Sequence, residues 1–179
     1  ADMPQVADST DAIYAFFMDR LRGVLRERGF NALEIDAVLS LNPTRLDDIV
    51  ARLDAVREFA SLPEAASLAA ANKRISNILK KSAESVPSSV QPALLQEAAE
   101  KALYAQLEQV APRVQTQLAE RNYTEALSAL SALRDAVDTF FNDVMVNAED
   151  PALRSNRLAL LGALHQQMNC VADISKLAA

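Results

Sequence analysis

The chain has 179 residues, half of them hydrophobic, which is enough to bury the core of one large domain or two small ones. Ala and Leu supply most of the apolar residues, only 5 % of the residues are aromatic and only three are glycine, a balance that favours helices over sheets. The net charge of −6 excludes a generally basic nucleic-acid coat, but it leaves room for a local basic face.

The cysteine content and the length of the apolar runs indicate the cellular compartment in which we expect the protein. Cys170 is the only cysteine, which excludes an internal disulfide and suits a reducing environment. No apolar run approaches the roughly 20 residues of a membrane span, and no basic-then-apolar signal segment opens the chain. We therefore expect a cytoplasmic protein that has no membrane partner.

The first sixty residues show the periodicity of three helices. Apolar residues of the first helix recur at helical spacing. They are Ile13, Phe16, Phe17, Leu21, Val24 and Leu25. Gly29 stands where a glycine commonly ends a helix. Asn31 and Glu34 form a capping-box-like start for a short second helix that ends at Pro43, and a third helix begins at Thr44.

The middle of the chain predicts one basic helix, one loop and one long helix. The basic helix covers residues 64–82, and residues 84–92, with two prolines and three serines, are predicted to form the main loop. The helical pattern that follows runs to about residue 121, and Pro112 is predicted to kink or split it.

Two further start signals mark the last helices. Asn122 and Glu125 repeat the capping-box pattern, and Asp150 followed by Pro151 is typical of an N-cap and a first helical position. The last helix is predicted to end near residue 172. Because no strand-like alternation persists, the sequence predicts an all-α fold, a helical bundle of about seven to eight helices.

A catalytic or metal site is not visible in the sequence. His165 and Cys170 lie five residues apart on the last helix, and a metal site would need more ligands of these types or a carboxylate cluster. We therefore expect His165 to be structural or exposed. The three scattered glycines leave no phosphate-binding loop. The chain is predicted to hold no active site and no cofactor of its own.

The predicted fourth helix separates apolar and cationic residues onto different sides. With Ile75 at 0° on a helical wheel, Lys73, Asn77 and Lys80 fall at about 140–200°. Arg74 and Lys81 fall side by side at about 240–260°. Lysines on such a face suit phosphates, and Arg and Asn can bond base edges. The alternative is a solvated face whose lysines suit the negative end of the helix dipole.

The last helix carries two arginines within its apolar arc. Arg154 and Arg157 fall at about 20° and 320° when Leu161 is set at 0°. Arginines on an inner face need partners. Nearby acidic candidates are Asp143, Glu149 and Asp150. The two arginines either lock the preceding loop to the helix or contact a ligand directly.

Two long segments carry a family resemblance. The segment AANKRISNILKK, and FFNDVMVNAEDPALRSNRLALL some sixty residues later, resemble the C-terminal region of the bacterial glycyl-tRNA synthetase beta subunit. The second half is also similar to the DALR-type anticodon-binding domain of arginyl-tRNA synthetases. The resemblance covers about residues 65–177. It implies an N-terminal helical subdomain in residues 1–62 and an anticodon-binding helical bundle in residues 63–179.

The resemblance implies a function that the spacing alone does not. The family binds the anticodon arm of glycine tRNA, and the parent enzyme, a ligase, joins glycine to that tRNA with ATP and Mg²⁺. Its catalytic centre lies in a separate alpha subunit, with which the beta subunit forms a heterotetramer. This chain would supply tRNA contacts without a catalytic site. The contact residues carried over by position are Asn72, Lys73, Arg74, Asn77, Lys80, Lys81, Arg154 and Arg157.

Base stacking in related modules often uses an aromatic residue just before the basic helix. Ala69, Ala70 and Ala71 occupy that place here, so we expect stacking from elsewhere, such as Tyr104 or Tyr123.

A helical protein–protein interaction scaffold without RNA binding is the main alternative. Residues 122–127 are similar to one turn of a tetratricopeptide-type helix pair, but the unit does not recur at a period near 34 residues. A third reading is a domain that only docks the partner subunit.

Overall fold

The computed structural model describes residues 7–82 and 85–178, and within them the chain forms eight α-helices, three short 3-10 turns and no strand. The helices are α1 (Ala7–Glu27), α2 (Ala32–Leu39), α3 (Leu46–Ala60), α4 (Ala65–Lys81), α5 (Ala98–Ala119), α6 (Tyr123–Leu130), α7 (Arg134–Asp143) and α8 (Pro151–Met168). The 3-10 turns are Pro92–Leu94, Ser131–Leu133 and Ile174–Leu177. The predicted all-α bundle of about seven to eight helices is confirmed.

Local capping chemistry sets several helix ends as predicted. Gly29 has a φ of +87°, the left-handed conformation that ends a helix. Asn31 Oδ1 accepts from the Glu34 N–H at 2.9 Å, and Glu34 Oε2 accepts from the Asn31 N–H at 2.9 Å, so the predicted capping box is confirmed. Asp150 Oδ1 accepts from the Ala152 N–H at 2.8 Å at the start of α8.

Two details of the long middle helices differ from the prediction. α5 runs without a break from Ala98 to Ala119, so Pro112 does not split the long helix, and a kink at Pro112 stays a prediction. Asn122 is the N-cap residue of α6, but its side chain makes no capping bond. Its backbone, with φ −84° and ψ 70°, departs from the extended conformation typical of an N-cap, and its amide group donates to Gln117 Oε1 and to Glu120 Oε2, both at 3.1 Å.

The helices share one hydrophobic core that runs from Leu25 near the end of α1 to Ile174 in the last 3-10 turn. The C-terminal residues close the core against α2 and α3. The Asp173 N–H donates to the Ala37 carbonyl at 2.8 Å, and Arg52 Nη1 donates to the Val171 carbonyl at 2.8 Å. The division between residues 1–62 and 63–179 stays a prediction.

The second half of α1 joins this core through Met18, Leu21 and Leu25. Leu25 is 2 % exposed, whereas Ile13 and Phe16 are 68 % and 63 % exposed. The periodicity of these residues predicted the helix correctly. Most of its apolar stripe nevertheless faces away from the other described helices.

None of the helices in the described residues combines the length and the apolar character that crossing a membrane requires.

Candidate nucleic-acid interface

The outward side of α4 is cationic over its whole second half. We call its exposed polar residues the basic face. They are Lys73, Arg74, Asn77, Lys80 and Lys81. The opposite side of α4 is buried, with Leu68 at 1 % and Ile75 at 0 % exposure. The face therefore has the orientation that the helical wheel predicted.

Asn72 lies on the buried side of α4, not on the basic face. Its side chain is 0 % exposed and forms a reciprocal amide pair with Asn169. The two N···O distances are 2.8 and 3.1 Å. A buried amide needs its hydrogen-bonding groups satisfied, and this pair meets that need inside the protein. Asn72 thus holds α4 against the end of α8 and presents no amide to a ligand.

A second polar contact joins the same two helices. Ser76 Oγ lies 2.9 Å from His165 Nε2. Burial lowers the pKa of His165 below its usual 6.5, and the nearby charge of Lys80 lowers the pKa further, while Asp173 opposes this. His165 is therefore a structural residue, as expected. The polar end of α8 matches the polar residues that α4 turns towards it.

Arg157 is a buried structural arginine. It is 6 % exposed and pairs with the carboxylate of Glu100, which is 1 % exposed. Its Nη1 also donates to the Met145 carbonyl at 2.7 Å. Arg157 therefore joins α8, α5 and the loop before α8. The acidic partner of Arg157 is Glu100 rather than any of the three acids that the sequence suggested, because α5 brings Glu100 directly to the guanidinium.

Glu100 is held as a carboxylate by several donors. Burial alone would raise its pKa, but the Arg157 hydrogen bond and the backbone N–H groups of Glu97 and Gln96 lower the pKa below its usual value. The N···O distances from Gln96 and Glu97 are 2.8 and 2.9 Å. Glu100 closes a capping box at the start of α5 that the sequence reading missed. The Glu97–Glu100 spacing is the signal that could have found it.

Arg154 lies closer to the surface than Arg157. It is half-buried, and its Nη1 donates to the Ala148 carbonyl at 2.9 Å. It also lines a cavity together with Lys81 of the basic face. Of the two arginines in the apolar arc, Arg154 is thus the one that the fold places beside the candidate interface.

The aromatic side chain beside the basic face is Phe141. The guanidinium of Arg74 lies over its ring, 4.2 Å from the centroid, and the ring of Phe140 supports it edge-on at 5.5 Å. Tyr123 is 6 % exposed, and its hydroxyl donates to Asp48 at 2.5 Å, so it presents no open ring face for stacking. In the sequence, this aromatic residue could have been found from the Phe140–Phe141 pair, which begins the second of the two segments that carry the family resemblance.

Other chemistry is sparse in the part of the chain that the structure describes. No group of three or more His, Cys, Asp or Glu side chains there is arranged to hold a metal ion. Burial raises the pKa of the Cys170 thiol to about 11, which keeps it protonated and unreactive. The basic face with Phe141 and Arg154 beside it is therefore the candidate site.

Comparison with known families decides the assignment. A family model described as the DALR anticodon binding domain matches residues 68–174, which is more than half of the chain. The chain belongs to this family. The matched range contains α5 to α8 and nearly all of α4, and with them the basic face, Phe141 and Arg154. The DALR match therefore falls on the helices that build the candidate interface.

Individual relatives extend the similarity beyond the DALR range. The glycine–tRNA ligase beta subunits of Delftia acidovorans, Methylobacillus flagellatus and Thiobacillus denitrificans are 57 %, 60 % and 58 % identical to the chain. The similarity covers 98 %, 94 % and 93 % of the chain, respectively. It covers only 25 %, 24 % and 24 % of the relatives, so the chain spans about a quarter of their length.

Proposed function

We propose that this chain binds the anticodon arm of glycine tRNA through the basic face of α4. The observation that carries the proposal is the exposed run of cations within the DALR match. Lys73, Arg74, Lys80 and Lys81 are all exposed, and α4 contains no acidic residue. In a chain of net charge −6, this concentrates positive charge on one side. Such a concentration of cations attracts the phosphates of a nucleic acid.

The composition of the face suits an RNA loop. Lysines attract phosphates without reading sequence, whereas Arg and Asn can bond base edges. Single-stranded loops present unstacked bases that stack on aromatic rings and guanidinium planes. Arg74 lying on Phe141 offers such a surface beside the lysines. The contact set that we propose is Lys73, Arg74, Asn77, Lys80, Lys81 and Arg154, with Asn72 and Arg157 as residues that position the helices.

The chain is proposed to act as part of a longer glycine–tRNA ligase beta subunit. In that enzyme, ATP-dependent joining of glycine to tRNA, with Mg²⁺, would take place on an alpha subunit in the cytoplasm. This chain would supply affinity and orientation for the tRNA, and none of the chemistry. Its similarity to three ligase beta subunits over more than nine-tenths of its length supports this placement.

The experiment is a salt titration of binding to the anticodon stem-loop of glycine tRNA. Reversal of two charges, Lys73→Glu with Lys80→Glu, is expected to weaken binding and to reduce the slope of log K against log [salt] by about two, one for each lost phosphate contact. Lys101→Glu with Lys176→Glu is the matched control, because both lysines are exposed and lie outside α4. An unchanged slope in the α4 variant, or equal losses in both variants, would contradict the proposal.

A protein–protein scaffold remains the second candidate function because of α1. Phe16 and Ile13 expose most of their apolar surface, which is typical of a protein contact. A pull-down with and without nuclease separates the two functions. Proteins that are still captured after nuclease treatment, and that are lost when Ile13 and Phe16 are replaced, would favour the scaffold. Loss of all partners after nuclease treatment would favour RNA binding.

A further inference from the structure

A cavity opens where the end of the basic face meets the loop before α8. It measures about 420 Å³, within the range of roughly 300–1,000 Å³ that small-ligand sites occupy. Its apolar walls are Ile78, Val146 and Leu158. Its polar lining includes Lys81, Asn147 and Arg154, and no carboxylate belongs to the described lining.

The position of this cavity links it to the stacked Arg74–Phe141 pair. Arg74, Ile78 and Lys81 are spaced four and three residues apart, so they share one side of α4. Arg74 meets Phe141 at one end of that side, while Ile78 and Lys81 line the cavity at the other. The seven residue steps from Arg74 to Lys81 span about 10 Å of helix. An extended nucleotide chain can therefore run along this side and contact both features.

We infer that this cavity receives one unstacked nucleobase of the bound RNA loop, an inference that rests on the proposed function. The aliphatic walls cover the faces of the base, and Asn147, which is exposed, can both donate to and accept from its edge. Lys81 lies where the phosphate of the same nucleotide would pass. The guanidinium of Arg154 is fixed by the Ala148 carbonyl at 2.9 Å and adds a planar cationic wall.

The chemistry of the lining favours a base over an apolar peptide side chain. An apolar peptide side chain would contact only the aliphatic walls and would form no hydrogen bond with the amide of Asn147 at the rim. A base meets both the aliphatic walls and the polar rim, because it has apolar faces and a polar edge. Lys81 beside the cavity also matches the phosphate that accompanies every base.

The test measures how this chain binds a set of anticodon stem-loops in which each loop base in turn is replaced by an abasic ribose. For the unaltered chain, removal of the base at one loop position is expected to weaken binding about ten-fold, because one buried base contact is lost. Val146→Met fills the cavity without changing the charge, and Val24→Met places the same side chain on exposed α1 as the matched control. In Val146→Met, that position is expected to lose its effect.

Asn147→Ala provides a second variant that does not alter the packing, because Asn147 is exposed. It is expected to reduce discrimination among bases at the sensitive position while the salt dependence stays unchanged. Binding with no sensitive position, or with the same sensitive position in Val146→Met, would overturn the cavity inference and leave the basic face standing. Absence of all binding at low salt would overturn the proposed function and, with it, this inference.

Discussion

Buried polar residues in this chain show what single side chains do when the fold removes them from water. Asn72 stands in the middle of the cationic segment, yet it bonds to Asn169 inside the protein. On the helical wheel it lies only about 60° from Ile75, which was the available sign of a buried position. Residue type suggested a ligand contact for Asn72, and burial shows that it positions α4 instead.

Arg157 is the side chain on which we expect stability to depend most. Arg157→Met should lower the free energy of unfolding by about 3–5 kcal/mol, because it leaves the carboxylate of Glu100, at 1 % exposure, buried without its cation. Urea denaturation followed by circular dichroism measures this change. Arg113→Met, at an exposed position of α5, serves as the control and should stay within about 0.5 kcal/mol of the unaltered chain.

A double variant distinguishes the effect of losing the Arg157 charge from the effect of losing its packing. Adding Glu100→Gln to Arg157→Met should recover part of the lost stability, because a neutral amide is less costly to bury than an unpaired carboxylate. No recovery in the double variant would mean that the packing of Arg157, rather than its charge, stabilises the fold.

Contacts between α4 and α8 show how elements are matched beyond their apolar stripes. Both helices turn polar side chains towards each other, Asn72 to Asn169 and Ser76 to His165. The sequence predicted the existence of each helix, because helical periodicity and end signals are local. It did not predict the pairing, because the two partners of each contact are 97 and 89 residues apart.

Acidification should weaken this α4–α8 contact. Burial holds the pKa of His165 below the 6.5 of an unfolded chain. Between those two values the unfolded chain binds more protons, so the free energy of unfolding falls as the pH drops from above 6.5. Above 6.5 both states are mostly neutral, and the contribution is constant.

His165→Gln removes the titrating group, and the difference between the two chains isolates its effect. The stability of the unaltered chain relative to His165→Gln should be flat above about pH 7 and should decline below 6.5. Thermal unfolding over a pH series measures it. A relative stability that rises on acidification would contradict the burial argument.

The whole molecule is organised around a core that crosses the predicted division at residues 62 and 63. Core residues extend from Leu25 to Ile174, and Arg52 of α3 holds the Val171 carbonyl at 2.8 Å. Arg52 also lies over the ring of Tyr123, 4.6 Å from its centroid. α3 thus depends on the C-terminal part of the chain for the burial of its apolar side.

Cooperativity of unfolding tests this organisation. Buried amides of α3, such as those of Leu53 and Val56, and of α8, such as that of Leu160, should exchange hydrogen with the same free energy, because opening either part exposes the shared core. Native-state hydrogen exchange measures these values. A free energy of exchange that residues 32–60 share, and that is lower than the value for α8, would support the predicted subdomain instead. The exposed positions around Ile13 and Phe16 in α1 are expected to exchange earliest, and they provide an internal reference.

The amino-acid sequence by itself determined the helical class, most helix ends and the orientation of the basic face. These features depend on neighbours within a few residues, through capping bonds at Asn31 and Asp150 and the periodicity around Ile75. The same local information identified the two segments that resemble the DALR family.

Tertiary structure alone decided which polar residues face the candidate ligand. It paired Asn72 with Asn169, gave Arg157 the distant Glu100 as its partner, and placed Phe141 beneath Arg74. It also joined Ile78 to Val146 around a cavity. Each of these outcomes is a contact between groups far apart in the chain, and the packing of whole helices fixes which distant groups meet.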